Sequence, residues 1–364
     1  MMLSSPVTQF GKFTIMIMAG GTGGHVYPAM AVADHLKEHG WNVVWLCTEG
    51  GMENRLISGK DYSKATITMR GVRGKGMLGW LLLPFKLATA FKQSFDAIRK
   101  HQPDVVLGMG GFAAFPGGVM TKLLGKPLVI HEQNSIAGLT NKVLRLIANR
   151  TLAAFPSAFG DDAELVGNPV RQDITELPFP AERYAAHNGK LKLLVVGGSL
   201  GAAALNEVLP KAIATLPESS RPEVIHQAGE KHIVALQENY KAANVNADTK
   251  AFIHNMAELY SWADLVICRS GALTVAELAC VGVASVLVPF PHAVDDHQTY
   301  NAKYLSDAGA AQLIQQTAFN TQKAGEILNS LTRDVCLEMA INAKKLAKPE
   351  ATATVARICM ELAI

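Results

Sequence analysis

Residues 12–30, KFTIMIMAGGTGGHVYPAM, pass from a short apolar run through four glycines to a histidine and a second apolar stretch. The segment Lys12 to Met18 is a short apolar run that ends in glycines and reads as a strand. Tyr27 to His39 then carries apolar residues at helical spacing. Strand, glycine loop and helix make up the opening unit of a doubly wound α/β domain, in which ligands lie beyond the carboxyl ends of the strands. The same alternation follows in WNVVWLC (41–47), DVVLGMGG (104–111), PLVIHEQN (127–134) and RTLAAF (150–155), with helical stretches between them. A parallel sheet with helices on both faces is the architecture that such alternation predicts.

The pattern breaks at LVGNPVRQDI (165–174), where a glycine and a proline interrupt any periodicity, and a linker is placed there. It restarts with LKLLVVGGSLGAAALNEVL (191–209), PEVIHQAG (222–229), AFIHNM (251–256), DLVICRSG (264–271) and ASVLVPF (284–290). Two successive doubly wound domains, 1–166 and 167–348, are therefore expected. The stretch 349–364 reads as an amphipathic helix that packs back on the first. A length of 364 residues agrees with two cores of ordinary size.

Apolar residues make up 49% of the chain and charged ones 18%, which excludes a disordered or collagen-like protein. Five cysteines (Cys47, Cys268, Cys280, Cys336, Cys359) are scattered without CxxC spacing and read as reduced core thiols. No secretory signal is apparent at the start, and no run reaches the ~18 apolar residues of a spanning helix, so a soluble or peripheral protein is expected. The net charge of +3 conceals an asymmetry. Residues 1–160 hold 17 Lys and Arg against 8 Asp and Glu, while residues 161–364 hold 17 against 23. A basic first half suits a polyanionic partner, phosphate groups or an anionic membrane surface; a chance distribution of solvated charge accounts for it equally well.

Glycine loops stand at four strand ends: 20–24, 108–111, 197–201 and Ser270-Gly271. None is a Walker A loop. The dinucleotide fingerprint fails because Val26 occupies the place of its third glycine, which demotes a Rossmann dehydrogenase even though Glu49 lies at a tolerable distance for a ribose contact. In CRSGALTVAEL (268–278) a helix start at Ala272, Leu273 and Thr274 leaves amides free for an anion. Thr274-x-x-Glu277 matches a capping box, and Glu277 reads either as that cap or as a carboxylate for ribose hydroxyls. HAVDDHQTYNA (292–302) clusters His292, Asp295, Asp296 and His297, but the chain has no Asp-x-Asp pair, and a polar loop is preferred to a metal site there. HEQNSIAGLTNK (131–142) sets His131, Glu132 and Asn134 at a strand end. Finally, GVRGKGMLGWLLLPFKLATAFK (71–92) sets Trp80, Leu81, Leu82 and Phe85 beside Arg73, Lys75 and Lys86 with no acid among them. It reads as an anionic-membrane docking segment or as a loop leading into a core helix.

In order and at natural spacing, GGTGGHVYPA, GMGGF, HEQN with AGLTNK, GNPVR, GGSLGA, CRSGALTVAEL and PFPHAVDDHQTYNA resemble the MurG family of bacterial UDP-N-acetylglucosamine:lipid I N-acetylglucosaminyltransferases over nearly the whole chain. The resemblance implies a GT-B architecture, two Rossmann-like domains with a deep cleft between them. It implies inverting transfer of GlcNAc from UDP-GlcNAc to the 4-hydroxyl of MurNAc in lipid I, giving lipid II and UDP in peptidoglycan synthesis, with no cofactor or metal required.

By the same resemblance the second domain binds the donor. Ile253 offers backbone contacts to uracil and Glu277 binds ribose. Ser199 and the amides of Ala272, Leu273 and Thr274 hold the diphosphate, and Val275 and Ala276 are further substrate-binding residues. Asn134, Arg171, Gln298 and the Thr22-Gly23-Gly24 loop complete the donor contacts, the loop reaching the cleft from the first domain, near the acceptor's diphosphate. His25 is the candidate base, with His131 and Glu132 as alternatives. The first domain docks on anionic phospholipids at the cytoplasmic face of the inner membrane. Other cell-wall synthesis proteins are further partners, and nucleic acid is not. Phe112 departs from the tyrosine that some members carry, so no hydroxyl is available there. The rival readings are a UDP-GlcNAc 2-epimerase of the same fold and a non-catalytic nucleotide-sugar-binding protein.

Overall fold

The structure is a computed structural model that describes residues 13–69, 83–198 and 201–364. Contacts divide the chain into two units. One comprises the described residues up to Gln133, Ala137–Pro169 and Glu350–Ile364; the other comprises Asn134–Ile136 and Val170–Pro349.

The first unit is built on a parallel sheet of seven strands: β1 (Thr14–Met18), β2 (Asn42–Thr48), β3 (Ser63–Ile67), β4 (Val105–Gly108), β5 (Leu128–Glu132), β6 (Arg150–Ala153) and β7 (Glu164–Leu165). Their order is β3-β2-β1-β4-β5-β6-β7. The order reverses at β1 and β4, which pair in register with Met18 opposite Gly108, so the connections from these two adjacent strand ends run in opposite directions and leave a crevice for loops. Successive β1 residues serve opposite faces. Ile15 and Ile17 pack with Val26, Ala29, Val32 and Ala33 of α1 (Gly23–Glu38) and with Val355 and Cys359 of the final helix, Ala351–Leu362. Met16 and Met18 pack on the other face, with residues of helices Leu83–His101, Ala114–Leu123 and Leu139–Leu144. Burial on both faces is what makes these strands continuously apolar.

Helix α1 begins at Gly23, four residues before the helical periodicity becomes visible, with Thr22 as its N-cap residue. Gly23, Gly24 and His25 therefore form the first helical turn rather than a loop. Glycine is a poor helix former, so propensity alone obscured this start. Gly21 is there for its φ of +84°, and Gly20 for space. A Cβ on Gly20 would lie 2.9 Å from the carboxyl group of Glu53, which is completely buried and accepts from Thr48 N (2.7 Å), Thr48 Oγ1 (2.6 Å) and Gly21 N (3.4 Å).

The second unit holds six parallel strands, β8 (Lys192–Val196), β9 (Glu223–Gln227), β10 (Asp248–Lys250), β11 (Leu265–Cys268), β12 (Ala284–Leu287) and β13 (Ala311–Leu313), in the order β10-β9-β8-β11-β12-β13. Its reversal lies between β8 and β11. AFIHNM is not a strand. The strand precedes it at 248–250, and Ile253 is buried in the loop that follows. All five cysteines are buried and unpaired.

Candidate functional site

In the first unit, the loops after β1, β4 and β5 converge on His25. Gly110 has φ +101° and Gly111 φ +90°, conformations open to glycine. A Cβ on Gly110 would lie 2.8 Å from His25 Cε1, and one on Gly111 would lie 2.6 Å from Gly20 O. The GMGG run is thus a seat pressed against the first glycine turn and the imidazole.

On its other side the partly exposed His25 places Nδ1 2.8 Å from Gln133 Oε1. Gln133 Nε2 lies 3.0 Å from His131 Nδ1 and donates to His131 O at 3.1 Å, and His131 Nε2 lies 2.9 Å from Gly167 O. His131 is fully buried, and burial pushes its pKa down to about 4 against the opposing pull of the Gly167 bond and of Glu132. It is neutral at neutral pH. Glu132 is buried as well, and its Oε2 accepts from Gly138 N (3.0 Å) and Asn141 Nδ2 (2.9 Å), which ties down the start of helix Leu139–Leu144. Of the three candidate bases, His25 is the one that is not buried.

In the second unit the loop after β8 turns through Gly197 and Gly198, the latter at φ +81°. Ser199 lies outside the described residues. Gln227 at the end of β9 braces this loop: its Nε2 donates to Gly198 O (2.9 Å) and its Oε1 accepts from Ile253 N (3.1 Å). The amide of Ile253 is thereby engaged within the protein.

After β11, Gly271 is the N-cap residue of helix Ala272–Val281. No side chain caps this helix, and its first turn contains no acid. The first-turn amides, Ala272 to Thr274, stand at the positive end of the helix dipole. Thr274 is the third residue of this helix and Glu277 the sixth, so the capping-box reading of Glu277 is incorrect: glycine took the cap position, and the local pattern fell inside the helix. Glu277 instead accepts a hydrogen bond from Tyr260 Oη to its Oε2 at 3.0 Å, and burial pushes its pKa up to about 7, with Tyr260 and Arg171 opposing. Val275 and Ala276 lie in the turn between the helix start and this carboxyl group.

Around that helix start, Asn301 is fully buried. It donates from Nδ2 to Ser270 O and Asn134 Oδ1, each at 3.2 Å, and accepts from Ser135 N at 2.8 Å. Arg269 donates to Val288 O and Pro289 O (3.0 Å each) and to Gln316 Oε1 (2.6 Å), which fixes the loop after β12. Gln298 Oε1 accepts from Phe290 N at 2.9 Å in the same loop. Arg171 is the N-cap residue of helix Gln172–Thr175 and lies 3.6 Å from Asp173. In the HAVDDH run, His297 Nδ1 donates to Val294 O and Thr299 Oγ1 donates to Asp296 Oδ1, each at 2.7 Å. Among the described residues no three His, Cys, Asp or Glu side chains form a metal-holding group.

Five braces went unremarked in the sequence: Glu53, Gln133, Gln227, Tyr260 and Asn301. Gln133, Gln227 and Asn301 lie in the stretches HEQN, PEVIHQAG and HAVDDHQTYNA, whereas Glu53 and Tyr260 carry no local signal. Of the apolar-basic segment, Arg73, Lys75, Trp80, Leu81 and Leu82 lie outside the described residues, while Phe85 is 73% exposed on helix Leu83–His101, which also carries Lys86. A second apolar stripe was overlooked: Leu139, Val143 and Leu146 are exposed at helical spacing.

Family models describe residues 15–153 as a glycosyltransferase family 28 N-terminal domain and residues 192–356 as a glycosyltransferase family 28 C-terminal domain. A Nitrosospira multiformis protein is 55% identical, and the match covers 96% of this chain and 98% of that one. A Cupriavidus metallidurans protein is 56% identical over the same shares. Both are named UDP-N-acetylglucosamine–N-acetylmuramyl-(pentapeptide) pyrophosphoryl-undecaprenol N-acetylglucosamine transferase. The crystal structure of Acinetobacter baumannii MurG superposes with a TM-score of 0.85 at 41% identity, covering 96% of this chain and 99% of that chain. This chain belongs to the MurG family. Its two parallel-sheet, Rossmann-like domains are those of MurG and of GT-B glycosyltransferases. A Neisseria meningitidis UDP-GlcNAc 2-epimerase shares the fold alone, at 10% identity and a TM-score of 0.63.

Proposed function

We propose that this chain is the N-acetylglucosaminyltransferase that moves GlcNAc from UDP-GlcNAc to the 4-hydroxyl of MurNAc in lipid I, releasing UDP and forming lipid II. The observation that carries the reading is the uncapped start of helix Ala272–Val281 with Glu277 buried further along it, in a chain 53–56% identical to transferases of that name. The epimerase alternative is not favoured, since those relatives are transferases. Binding of the nucleotide sugar without transfer would favour the non-catalytic alternative.

In this reading the second unit takes the donor. The amides of Ala272, Leu273 and Thr274, with Ser199 from the glycine loop, receive the diphosphate. When the C1–O bond to UDP breaks, negative charge grows on the β-phosphate, and amides already aimed there stabilise it without reorganising. Glu277 accepts from the ribose hydroxyls through Oε1, its Oε2 being held by Tyr260. Uracil meets the chain at Ile253 through its carbonyl, because the Ile253 amide already donates to Gln227. Asn134, Arg171 and Gln298 supply side-chain amides and a guanidinium to the sugar and phosphates.

The first unit takes the acceptor. Thr22, Gly23 and Gly24 open α1 with amides suited to the diphosphate of lipid I, and His25 in the same turn removes the proton from the attacking hydroxyl. His131 and Glu132 act as supports, their polar atoms being committed within the protein. No cofactor takes part in this scheme. Docking on anionic phospholipids at the cytoplasmic face of the inner membrane falls to Phe85, Lys86 and the segment holding Arg73, Lys75, Trp80, Leu81 and Leu82. Other cell-wall synthesis proteins are further partners in this reading. No helix among the described residues is long and apolar enough to cross a membrane.

The test is a transfer assay with labelled UDP-GlcNAc and a short-chain lipid I analogue. Lipid-dependent UDP release with label in the disaccharide lipid is the expected result. Binding of UDP-GlcNAc without transfer would sink the proposal.

A further inference from the structure

We infer that Gln133 is a positioning residue for the transfer: its side-chain amide couples His25 to the buried His131, so that His25 keeps its proton on Nδ1 and presents a bare Nε2 as base. The inference rests on His25 being the base.

Two main-chain carbonyls fix every proton in the relay, because a carbonyl only accepts. Gly167 O lies 2.9 Å from His131 Nε2, so that nitrogen carries the hydrogen. His131 is neutral, so its Nδ1 then holds a lone pair. The amide of Gln133 has one end 3.1 Å from His131 O and 3.0 Å from His131 Nδ1. Both are acceptors, so that end is the NH₂ group. The opposite end is therefore the carbonyl oxygen, and it faces His25 Nδ1 at 2.8 Å. An oxygen acceptor there requires Nδ1–H, and in a neutral imidazole the lone pair then resides on Nε2.

Proton transfer changes nothing in this arrangement. When Nε2 takes the hydroxyl proton, both ring nitrogens become donors, and Gln133 Oε1 still accepts from Nδ1. No side chain has to turn over during the reaction, which keeps the reorganisation of the site small. The ring is held from its other side by Gly110. This is the orienting role that a third group plays beside a nucleophile and its base, here performed by a neutral amide instead of a carboxylate.

The test combines long-range proton–nitrogen NMR of the imidazoles in the full-length protein with steady-state transfer kinetics. In the wild type, the His25 spectrum at neutral or mildly alkaline pH should show a protonated Nδ1 and a bare Nε2. The reverse tautomer would overturn the inference without any variant. In Gln133→Leu, of similar volume, the His25 proton should move to Nε2 or divide between the two nitrogens, and kcat should fall by about 10- to 10⁴-fold, the upper end being the loss when a catalytic histidine is held in the wrong tautomer. UDP-GlcNAc affinity should stay within about twofold, which a merely structural loss would not leave intact. His25→Ala separates the two readings. A slow His25→Ala enzyme beside a Gln133→Leu enzyme with unchanged tautomer and kcat overturns the relay alone. A His25→Ala enzyme of wild-type speed overturns the base assignment and the relay with it.

Discussion

Tyr260 donates its phenol to Glu277 Oε2 at 3.0 Å, and both side chains are buried. The bond holds the carboxyl group in one orientation and favours its ionised form, while burial pushes its pKa up to about 7. Acceptance of two ribose hydroxyls needs the ionised form. UDP affinity should therefore fall as pH is lowered from about 8 through 7, the loss steepening below the pKa. Stability of the free protein moves the other way. The folded-state pKa of Glu277 is above its unfolded value, so the folded state binds the extra proton, and its contribution to stability is full below about 4.5 and declines as pH rises through 7. Calorimetric titration with UDP across this range checks the first statement; affinity independent of pH in both the wild type and Glu277→Gln would refute it.

Removing the donor should act on the same carboxyl group. Tyr260→Phe leaves the ring volume in place but deletes a hydrogen bond to a charged acceptor, worth about 1.5–3 kcal/mol, or roughly 10- to 150-fold in UDP affinity if fully expressed in binding. The pKa governing UDP binding should also move upward. An affinity within twofold of wild type would mean that Glu277 is oriented by something else.

For Glu53, stability is the readout. Its carboxyl group accepts from Thr48 N, Thr48 Oγ1 and Gly21 N with no exposure to solvent. Glu53→Ala leaves those donors unsatisfied and opens a cavity beneath the first glycine turn, at a cost of about 3–5 kcal/mol. Chemical denaturation should show the first unit unfolding earlier while the second is unchanged. A midpoint within experimental error of wild type would show that water replaces the carboxyl group without penalty.

Gly110→Ala probes the seat of His25. The new Cβ would stand 2.8 Å from the imidazole at a φ of +101°, so the ring must move off Gln133 or the loop must refold. Turnover should fall by about 10²- to 10⁴-fold, the range expected when a general base is lost, with UDP affinity retained because the donor loops are untouched. Retained turnover would place the base elsewhere.

The fold was legible because strands such as VVLG and LVIC are buried on both faces and therefore apolar throughout. The edge strands were not. In SKATI only Ala65 and Ile67 are buried, and at three residues β10 and β13 are too short to carry a pattern. At the site, the glycines and His25 announced themselves because close backbone approach and titratable chemistry demand particular residue types. The braces stayed hidden because their roles depend on partners far away in sequence. Gln227 meets Ile253 across 26 positions, and Asn301 meets Ser135 across 166. The misread cap at Thr274 has a related cause: a four-residue pattern says nothing about which residue the chain actually places at the N-cap, and Gly271 took that position.

The overlooked stripe on helix Leu139–Leu144 and the turn that follows leads to the last prediction. Leu139 is 79% exposed and Leu146 77%, with Val143 between them and Lys142 and Arg145 alongside. Apolar side chains one and two turns apart beside cations form the pattern of a surface that rests on an anionic bilayer. Burying a leucine side chain fully in an apolar medium contributes about 1.5–3 kcal/mol, so replacing Leu139 and Leu146 together by serine should weaken partitioning onto vesicles containing anionic phospholipid by at least tenfold. Raising salt should weaken the wild type further through Lys142, Arg145 being ion-paired with Asp162, since charges at a surface are screened over about 10 Å at 0.1 M. Transfer to a short-chain, water-soluble acceptor should be unchanged in the double variant. Partitioning equal to wild type would confine any docking to the segment around Phe85.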